Sequence, residues 1–402
     1  VSQSSDPTTY DPVAAGFKSG LEVHQQLLTD HKLFCRCPAG LYSDEYDAEA
    51  LRHMRPTLSE LGEYDGTALM EFKTRKEILY RLNRRSVCTY EMDDNPPFPI
   101  NSQAVDIAIE IALLFNCKIV GELHVARKQY LDGSIPAGFQ RTAIVGLNGG
   151  FEFQGRTIGV VQLAVEEDSC REILDRGHRR ICATDRLSMP LIEVVTAPDI
   201  RTPEEVALVG TLIGDIVRST GKVRRGIGSV RQDVNVSVAG GTRIEIKGVP
   251  RIPLFPSLTY YEAYRQSRLL ALRERMRARG IDRLPRLFRR VDAGGRLVHP
   301  QVIAAVARGE RVGATIATGM AGLLRWPIGP TRTFADDIAG RVRVIACLTE
   351  PPYILHTDDR RPTSLSRRDR ETLKALGDMS EDDAAIVVHG QDADIDTALD
   401  EI

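Results

Sequence analysis

The chain has 402 residues, 42% hydrophobic and 27% charged, with a formal net charge of −2, which suits a globular protein long enough for two or three domains. Near-neutral charge removes any bulk electrostatic case for nucleic acid, so an RNA contact has to come from a local patch. No apolar run approaches the about 20 residues that span a bilayer. The opening VSQSSDPTTYDP lacks a secretory pattern, and seven scattered cysteines predict a reducing, cytoplasmic setting without a disulfide framework.

Residues 1–15 read as a disordered tail. The stretch GLEVHQQL (20–27) then reads as a strand. Side chains two apart share a face, so Glu22, His24 and Gln26 form one polar row, with Leu21, Val23 and the aliphatic part of Gln25 behind it. NSQAVDIAIEIALLFN (101–116) predicts a buried helix capped by Asn101. Strand-like runs follow in FEFQGRTIGVVQLAVEED and RLSMPLIEVVT. In RTPEEVALVGTLIGDIVRST, Thr202 is the N-cap, Pro203 takes the first helical position and Glu205 completes a capping box.

SVRQDVNVSV and TRIEIKGV, joined by AGG, predict a hairpin. Its first strand puts Gln232, Val234 and Val236 on one face and Arg231, Asp233 and Asn235 on the other. Its second puts Ile244 and Ile246 inward and Arg243, Glu245 and Lys247 opposite. A third helix runs from about Ser257 to a stop at Gly280. Beyond it, RVRVIACL and AIVVHG read as strands. The terminal DADIDTALDEI reads as the first turns of a helix, so the native chain is expected to continue past Ile402. Strands and helices without a βαβ rhythm predict an α+β fold, mixed or antiparallel in its main sheet with flanking helices. One domain covers 16–280 and a smaller α/β domain covers 281–402.

Several of these strands carry chemistry on one face. VEEDS places Glu166, Glu167 and Asp168 in succession, and PLIEVVT embeds Glu193 among aliphatic residues. An ionised, buried Glu193 needs a partner. A divalent cation is one such partner, and oxygen-rich sites suit Mg²⁺. A neighbouring arginine is another, and then the rows are solvated sheet faces. GGFEFQGRT falls one residue short of a phosphate-binding loop: Arg156 stands where lysine is needed and the flanks are strands, which predicts a plain hairpin. The stretch 265–290 carries ten arginines against Glu274 and Asp282, equally suited to RNA phosphates and to a solvated helix face.

GLEVHQQL, KLFCRC, RPTLSELG, RKQYLDGS, GFQRT, VEEDSCR, PLIEVVTAPDI, VRQDVNVSV and RIEIKGV occur in this order over residues 20–250. Together they resemble the GatB/GatE family of tRNA-dependent amidotransferase subunits. The QQL ending, the absent second CxxC and the extra domain after 281 favour the archaeal GatE branch, truncated at its C-terminal end. The resemblance implies that 16–280 is a cradle domain that phosphorylates the γ-carboxylate of glutamate misacylated onto tRNA(Gln), using ATP and Mg²⁺. Ammonia from an asparaginase-like amidase partner (GatD) then gives Gln-tRNA(Gln), in a heterotetramer of two GatD and two GatE chains. Region 281–402 corresponds to an incomplete insertion related to one in bacterial-type aspartyl-tRNA synthetases.

By the same mapping Glu22, His24, Glu193 and the VEEDS carboxylates, best Glu167 together with Glu166, hold metal. Arg127 and Lys128 of RKQY lie near the ATP site. Charge and strand position assign Lys247 and Arg231 to phosphate or oxyanion contacts, and Asp233 and Glu245 to steering ammonium. B-type relatives pair a KLFCRC-like motif with a later CxxC. Here VCTYEMDD offers only Cys88 beside Cys35 and Cys37, one ligand short of a zinc site. Two other readings stay open: a metal-dependent hydrolase of a small substrate using Glu22, His24 and Glu193, and a non-catalytic tRNA-binding scaffold.

Overall fold

A computed structural model of the chain describes residues 7–58, 62–281 and 288–402. Its elements run β1 (Lys18–Gln26), β2 (Ala48–Arg52), α1 (Gly66–Lys73), β3 (Glu77–Leu82), α2 (Ser102–Leu114), β4 (Lys118–Ile119), β5 (Val125–Gln129) and β6 (Phe139–Phe153). Next come β7 (Arg156–Glu167), β8 (Arg171–Arg176), β9 (Arg179–Ala183), β10 (Pro190–Thr196), α3 (Pro203–Ser219), β11 (Val230–Ser237), β12 (Ile244–Val249) and α4 (Phe255–Ala278). The remainder holds β13 (Phe288–Asp292), α5 (Pro300–Ala307), β14 (Arg311–Ala317), α6 (Phe334–Ile345), β15 (Leu355–His356), α7 (Arg367–Gly377), β16 (Ala384–Gly390) and α8 (Asp392–Glu401). The fold is α+β.

Two compact units divide the chain. The larger comprises Asp11–Asp175 and Arg179–Ala263. Its main sheet is antiparallel, in the order β12-β11-β1-β10-β7-β6-β4, with β5 pairing β6. A second sheet, β2-β3-β9-β8, includes one parallel pair, β3 with β9. One face of the main sheet is apolar: Leu21, Val23, Leu163, Val165, Ile192, Val194, Val234 and Val236 are all buried. Helix α2 packs against β6 and β7, and α3 against β1, through Ala104, Ile107, Ala108 and Ile111 of α2 and Val206, Val209 and Ile213 of α3. Burial of this apolar surface, at about 25 cal/mol per Å², holds the helices to the sheet.

Helix starts follow their capping residues. Asn101 Oδ1 accepts from the Ala104 N–H, and Thr202 Oγ1 from the Glu205 N–H. The Glu205 carboxylate takes the Arg201 N–H and the Arg156 guanidinium. The β6–β7 connection is a tight hairpin turn with Gln154 and Gly155 both at positive φ, 50° and 76°, as expected of a two-residue turn and unlike a phosphate-binding loop.

The smaller unit includes Tyr264–Ile402. Its antiparallel sheet runs β13-β14-β16-β15. Three expectations change here. The division falls within α4 at Tyr264, ahead of Gly280, because Leu272 of that helix joins a core with Met320, Leu324, Val342 and Ile386. RVRVIACL is not a strand: its RVRVI lies in α6, where a Thr333–Asp336 capping box starts the helix and Val342, Ile345 and Ala346 are buried. Residues 7–15 are ordered. Pro7–Thr9 form a 3₁₀ turn, Asp11 accepts the N–H groups of Val13 and Ala14, and the Tyr10 ring meets Tyr264 edge-on at 5.4 Å; the rest of the expected tail lies outside the described residues. Among the described residues no helix is long and apolar enough to cross a membrane.

Candidate active site

The face of the main sheet opposite α2 and α3 collects the polar rows. Strand β1 lies between β10 and β11, so Glu22, Val23, His24 and Gln25 each have a paired neighbour on both sides. His24 stands opposite Glu193 of β10 and Arg231 of β11, and Glu22 opposite Asp233. One strand further out, Glu166 of β7 is level with Leu191, and Glu245 of β12 with Asn235. Strand alternation therefore gathers onto one surface residues up to 223 positions apart in the chain, from Glu22 to Glu245.

His24 is the hub. Its Nδ1 lies 3.2 Å from Glu166 Oε1 and its Nε2 3.7 Å from Asp233 Oδ2. Burial works against a charged imidazole here, but the hydrogen bonds to Asp233 and Glu166 and the charge of Glu193 prevail and raise its pKa to about 10. Lys128 Nζ sits 3.2 Å from Glu166 Oε2 and 3.4 Å from Glu193 Oε2, and Thr142 donates to Glu166 at 3.0 Å.

The two carboxylates respond in opposite directions. Burial alone would lift Glu166, yet His24 and Lys128 bring its pKa below the usual range. Glu193 is pushed up by burial and then by the Glu166 charge, more than Lys128 and His24 pull it down. Lys128 is correspondingly held charged, against burial, by Glu166 and Glu193. On the outer side, burial of Asp233 is outweighed by His24 and by the Gly248 N–H at 2.6 Å, so its pKa falls. Lys247 lies 2.7 Å from Glu245 and 3.5 Å from Asp233.

Oxygen and imidazole donors of Glu22, His24 and Glu193 all lie within 4.8 Å of one another, as do those of Glu22, Asp233 and Glu245. Glu22 belongs to both sets, and Asn235 Nδ2 donates to its Oε1 at 3.0 Å. Hard oxygens with one imidazole fit a divalent cation of the Mg²⁺ or Mn²⁺ type.

Two of the residues named from sequence are not brought here. Glu167 follows Glu166 in the strand and points to the opposite face, where Tyr90 and Ser188 donate to its Oε1 at 2.5 and 3.0 Å and the Arg141 N–H to its Oε2 at 3.1 Å. Arg127, next to Lys128 on β5, turns away in the same manner and stacks on Phe139, 5.4 Å from the ring centroid. Arg231 is on the site face, anchored through both Nη atoms to Asp168. Asp168 was legible as Glu166 plus two, hence the same face, but its role needs the neighbouring strand. The arginine-rich stretch is largely paired: Arg277 with Glu274, Arg290 with Asp400, Arg279 with the Gly319 and Ala321 carbonyls; its residues 282–287 lie outside the described ones.

The fourth donor beside Cys35, Cys37 and Cys88 is Glu91, three residues after Cys88; the four ligand atoms lie within 4.8 Å of one another. Fully buried Lys32 donates to Glu91 Oε1 at 2.6 Å, while Glu91 Oε2 accepts the Cys88 N–H at 3.0 Å. Hydrogen bonding from Cys35 leads the effects that lower the Cys37 thiol to about 6, against burial. Three sulfurs and a carboxylate form a donor set able to hold zinc, with Lys32 orienting the carboxylate.

The family described as the GatB/GatE catalytic domain matches residues 17–373, and the chain belongs to that family. Among curated proteins it is 38% identical over 404 residues to the E subunit of the glutamyl-tRNA(Gln) amidotransferase of Sulfurisphaera tokodaii, covering 98% of this chain and 63% of that protein. The corresponding E subunit of Methanocaldococcus jannaschii is 37% identical over 391 residues, covering 96% and 61%. That of Saccharolobus islandicus is 39% identical over 399 residues, with the same coverage. Within the family the chain thus sides with relatives of the E type, and it spans about three-fifths of their length.

Proposed function

We propose that this chain carries the site where glutamate attached to tRNA(Gln) is activated by ATP at its γ-carboxylate and amidated by ammonia. The observation that supports this most is the sheet face itself: Glu22, His24, Glu166, Glu193, Asp233 and Glu245 share it with Lys128, Lys247 and Arg231. Carboxylates alone would suit a cation; cations alone would suit an anion. Both together suit a reaction in which a carboxylate attacks a phosphoryl group and negative charge has to be offset on both partners.

Glu22, His24 and Glu193 are the residues that would hold Mg²⁺, with Glu166 fixing His24 from behind. Bound there, the cation supplies charge neutralisation for the phosphates. Lys247 and Arg231 bind and orient phosphate oxygens on the β11–β12 side. His24, held charged by Glu166 and Asp233, keeps its proton at neutral pH in the metal-free site. Asp233 and Glu245 attract ammonium arriving from an amidase partner of the asparaginase-like type, and the native assembly is a heterotetramer of two such amidase chains and two of these chains, in the cytoplasm.

The test is to incubate the full-length protein with its amidase partner, ATP, Mg²⁺ and Glu-tRNA(Gln), with Glu-tRNA(Glu) as control. ATP cleavage and glutamine formation that depend on Glu-tRNA(Gln) are expected. Turnover of a small substrate without ATP would replace this reading with the hydrolase, and tRNA binding without turnover would replace it with the scaffold.

A further inference from the structure

Asp168 follows β7 and is wholly buried at 0% exposure, yet it takes no part in the donor sets around Glu22. Its carboxylate is ringed by donors. Arg231 contacts it through both Nη atoms, the Nη1 bond to Oδ2 measuring 3.2 Å. Gln26 Nε2 donates to Oδ2 at 2.7 Å and the Ser169 N–H to Oδ1 at 2.8 Å, with Arg186 Nε 3.6 Å from Oδ1. The Gln26 amide is itself fixed, because Tyr42 donates its hydroxyl to Oε1 at 2.9 Å. Because the Asp168 carboxylate only accepts, Gln26 has one way round, with its nitrogen on Asp168 and its oxygen toward Tyr42.

A two-point contact between planar groups fixes the guanidinium plane as well as its place. Arg231 stands opposite His24 on β11 and keeps a 28% exposed side chain. Guanidinium carries five N–H donors. Asp168 engages one on each Nη, and among the described contacts the Nε–H and the second N–H of each Nη have no protein acceptor. The anchored arginine therefore presents fixed donors beside the carboxylate row, a geometry made for an oxyanion.

We propose that Asp168 is a positioning residue that, with Gln26 and Tyr42, sets the plane of Arg231 to receive a phosphate oxygen of the nucleotide. The proposal rests on the amidotransferase reading for the identity of that phosphate, and the relay itself is testable without it. The variants are Asp168→Asn, Arg231→Lys, their combination, and Tyr42→Phe, in the full chain with its partner. Asp168→Asn and Arg231→Lys are each expected to raise the KM for ATP about tenfold with kcat within about threefold, and the double variant is expected to match Arg231→Lys alone. Tyr42→Phe, at a residue 46% exposed, keeps the test decisive if Asp168→Asn does not fold; its expected rise is about twofold to threefold. In parallel, the Arg231 Nη–H nuclear magnetic resonance signals, assigned by their loss in Arg231→Lys, are expected as separate lines in the parent protein, where Asp168 holds both Nη groups, and as one rotationally averaged line in Asp168→Asn. Multiplying single-variant effects, or an unchanged KM in Tyr42→Phe and Asp168→Asn alike, would overturn the proposal. If no ATP is cleaved by the parent protein, the functional reading falls, and the resonances still decide the relay: the same lines in both proteins would sink it.

Discussion

Glu166 and Glu167 are neighbours in the chain and almost equally buried, at 1% and 2% exposure, but the pleat sends them to opposite faces of one sheet. Glu166 is shared among His24, Lys128 and Thr142, and the first two of these also serve Glu193 and Asp233. Glu167 is held by the side chains of Tyr90, Ser188 and Arg141, and among the described residues none of these three side chains bonds Glu22, His24, Glu166 or Glu193. On the first face the carboxylates crowd one another and lean on a half-exposed lysine, which leaves them ready to exchange partners with a cation or substrate. On the second, every oxygen has a dedicated donor, and the group is part of the scaffold. Burial alone says nothing about role; the number of unshared partners does.

The largest expected difference between the faces is in activity. Glu193→Gln should lower ATP-dependent amidation by about a thousandfold, or about 4 kcal/mol, while the circular dichroism spectrum and urea midpoint stay near those of the parent. Retained amidation would take Glu193 out of the site. Stability should show the reverse ranking. Glu167→Ala strands the Arg141 guanidinium and should cost about 3 kcal/mol in urea unfolding, against less than about 1 kcal/mol for Glu193→Gln, which relieves repulsion with Glu166. Equal costs would erase the distinction between open and closed networks.

The pH dependence sharpens the same contrast. Because His24 is raised to about 10 in the folded, metal-free protein from an ordinary 6.5, the native state binds a proton that the unfolded chain has lost across that window. Its stabilisation is complete below about pH 6.5 and fades as pH rises through 10. In chelator-treated protein, unfolding free energy should fall from pH 7 to 10 by about 3 to 4 kcal/mol more in the parent than in His24→Gln; parallel curves would refute the charged hub. The smallest effects separate two hydroxyls. Thr142→Val and Ser188→Ala each remove one bond to a buried carboxylate and should cost about 1 kcal/mol in thermal unfolding, but only Thr142→Val should also slow amidation.

Much of this arrangement is legible in the residues alone. The alternation of GLEVHQQL, VRQDVNV and RIEIK fixes which side chains share a face, and the AGG link makes two of those strands neighbours. The caps at Asn101 and Thr202 mark their helices. What alternation within one strand could not supply is strand order: that β1 lies between β10 and β11 places His24 against both Glu193 and Arg231. Alternation puts Glu166 and Glu167 on opposite faces but does not say which one meets the site; the register of Leu191 with Glu166 decides for Glu166. RVRVIACL misled because β-branched residues also fit one stripe of a helix once a capping box upstream has started it. For the fourth ligand beside Cys35, Cys37 and Cys88 the residues suggest a His or an Asp; the group brought there is Glu91, three residues after Cys88.

One measurement bears on the central claim most directly: anomalous diffraction from crystals of the full-length protein soaked in Mn²⁺. A peak bounded by the Glu22 and Glu193 carboxylates and the His24 imidazole is the predicted result. A manganese peak coordinated elsewhere, with Glu193 still on Lys128, Glu22 on Asn235 and His24 on Glu166 and Asp233, would contradict the account.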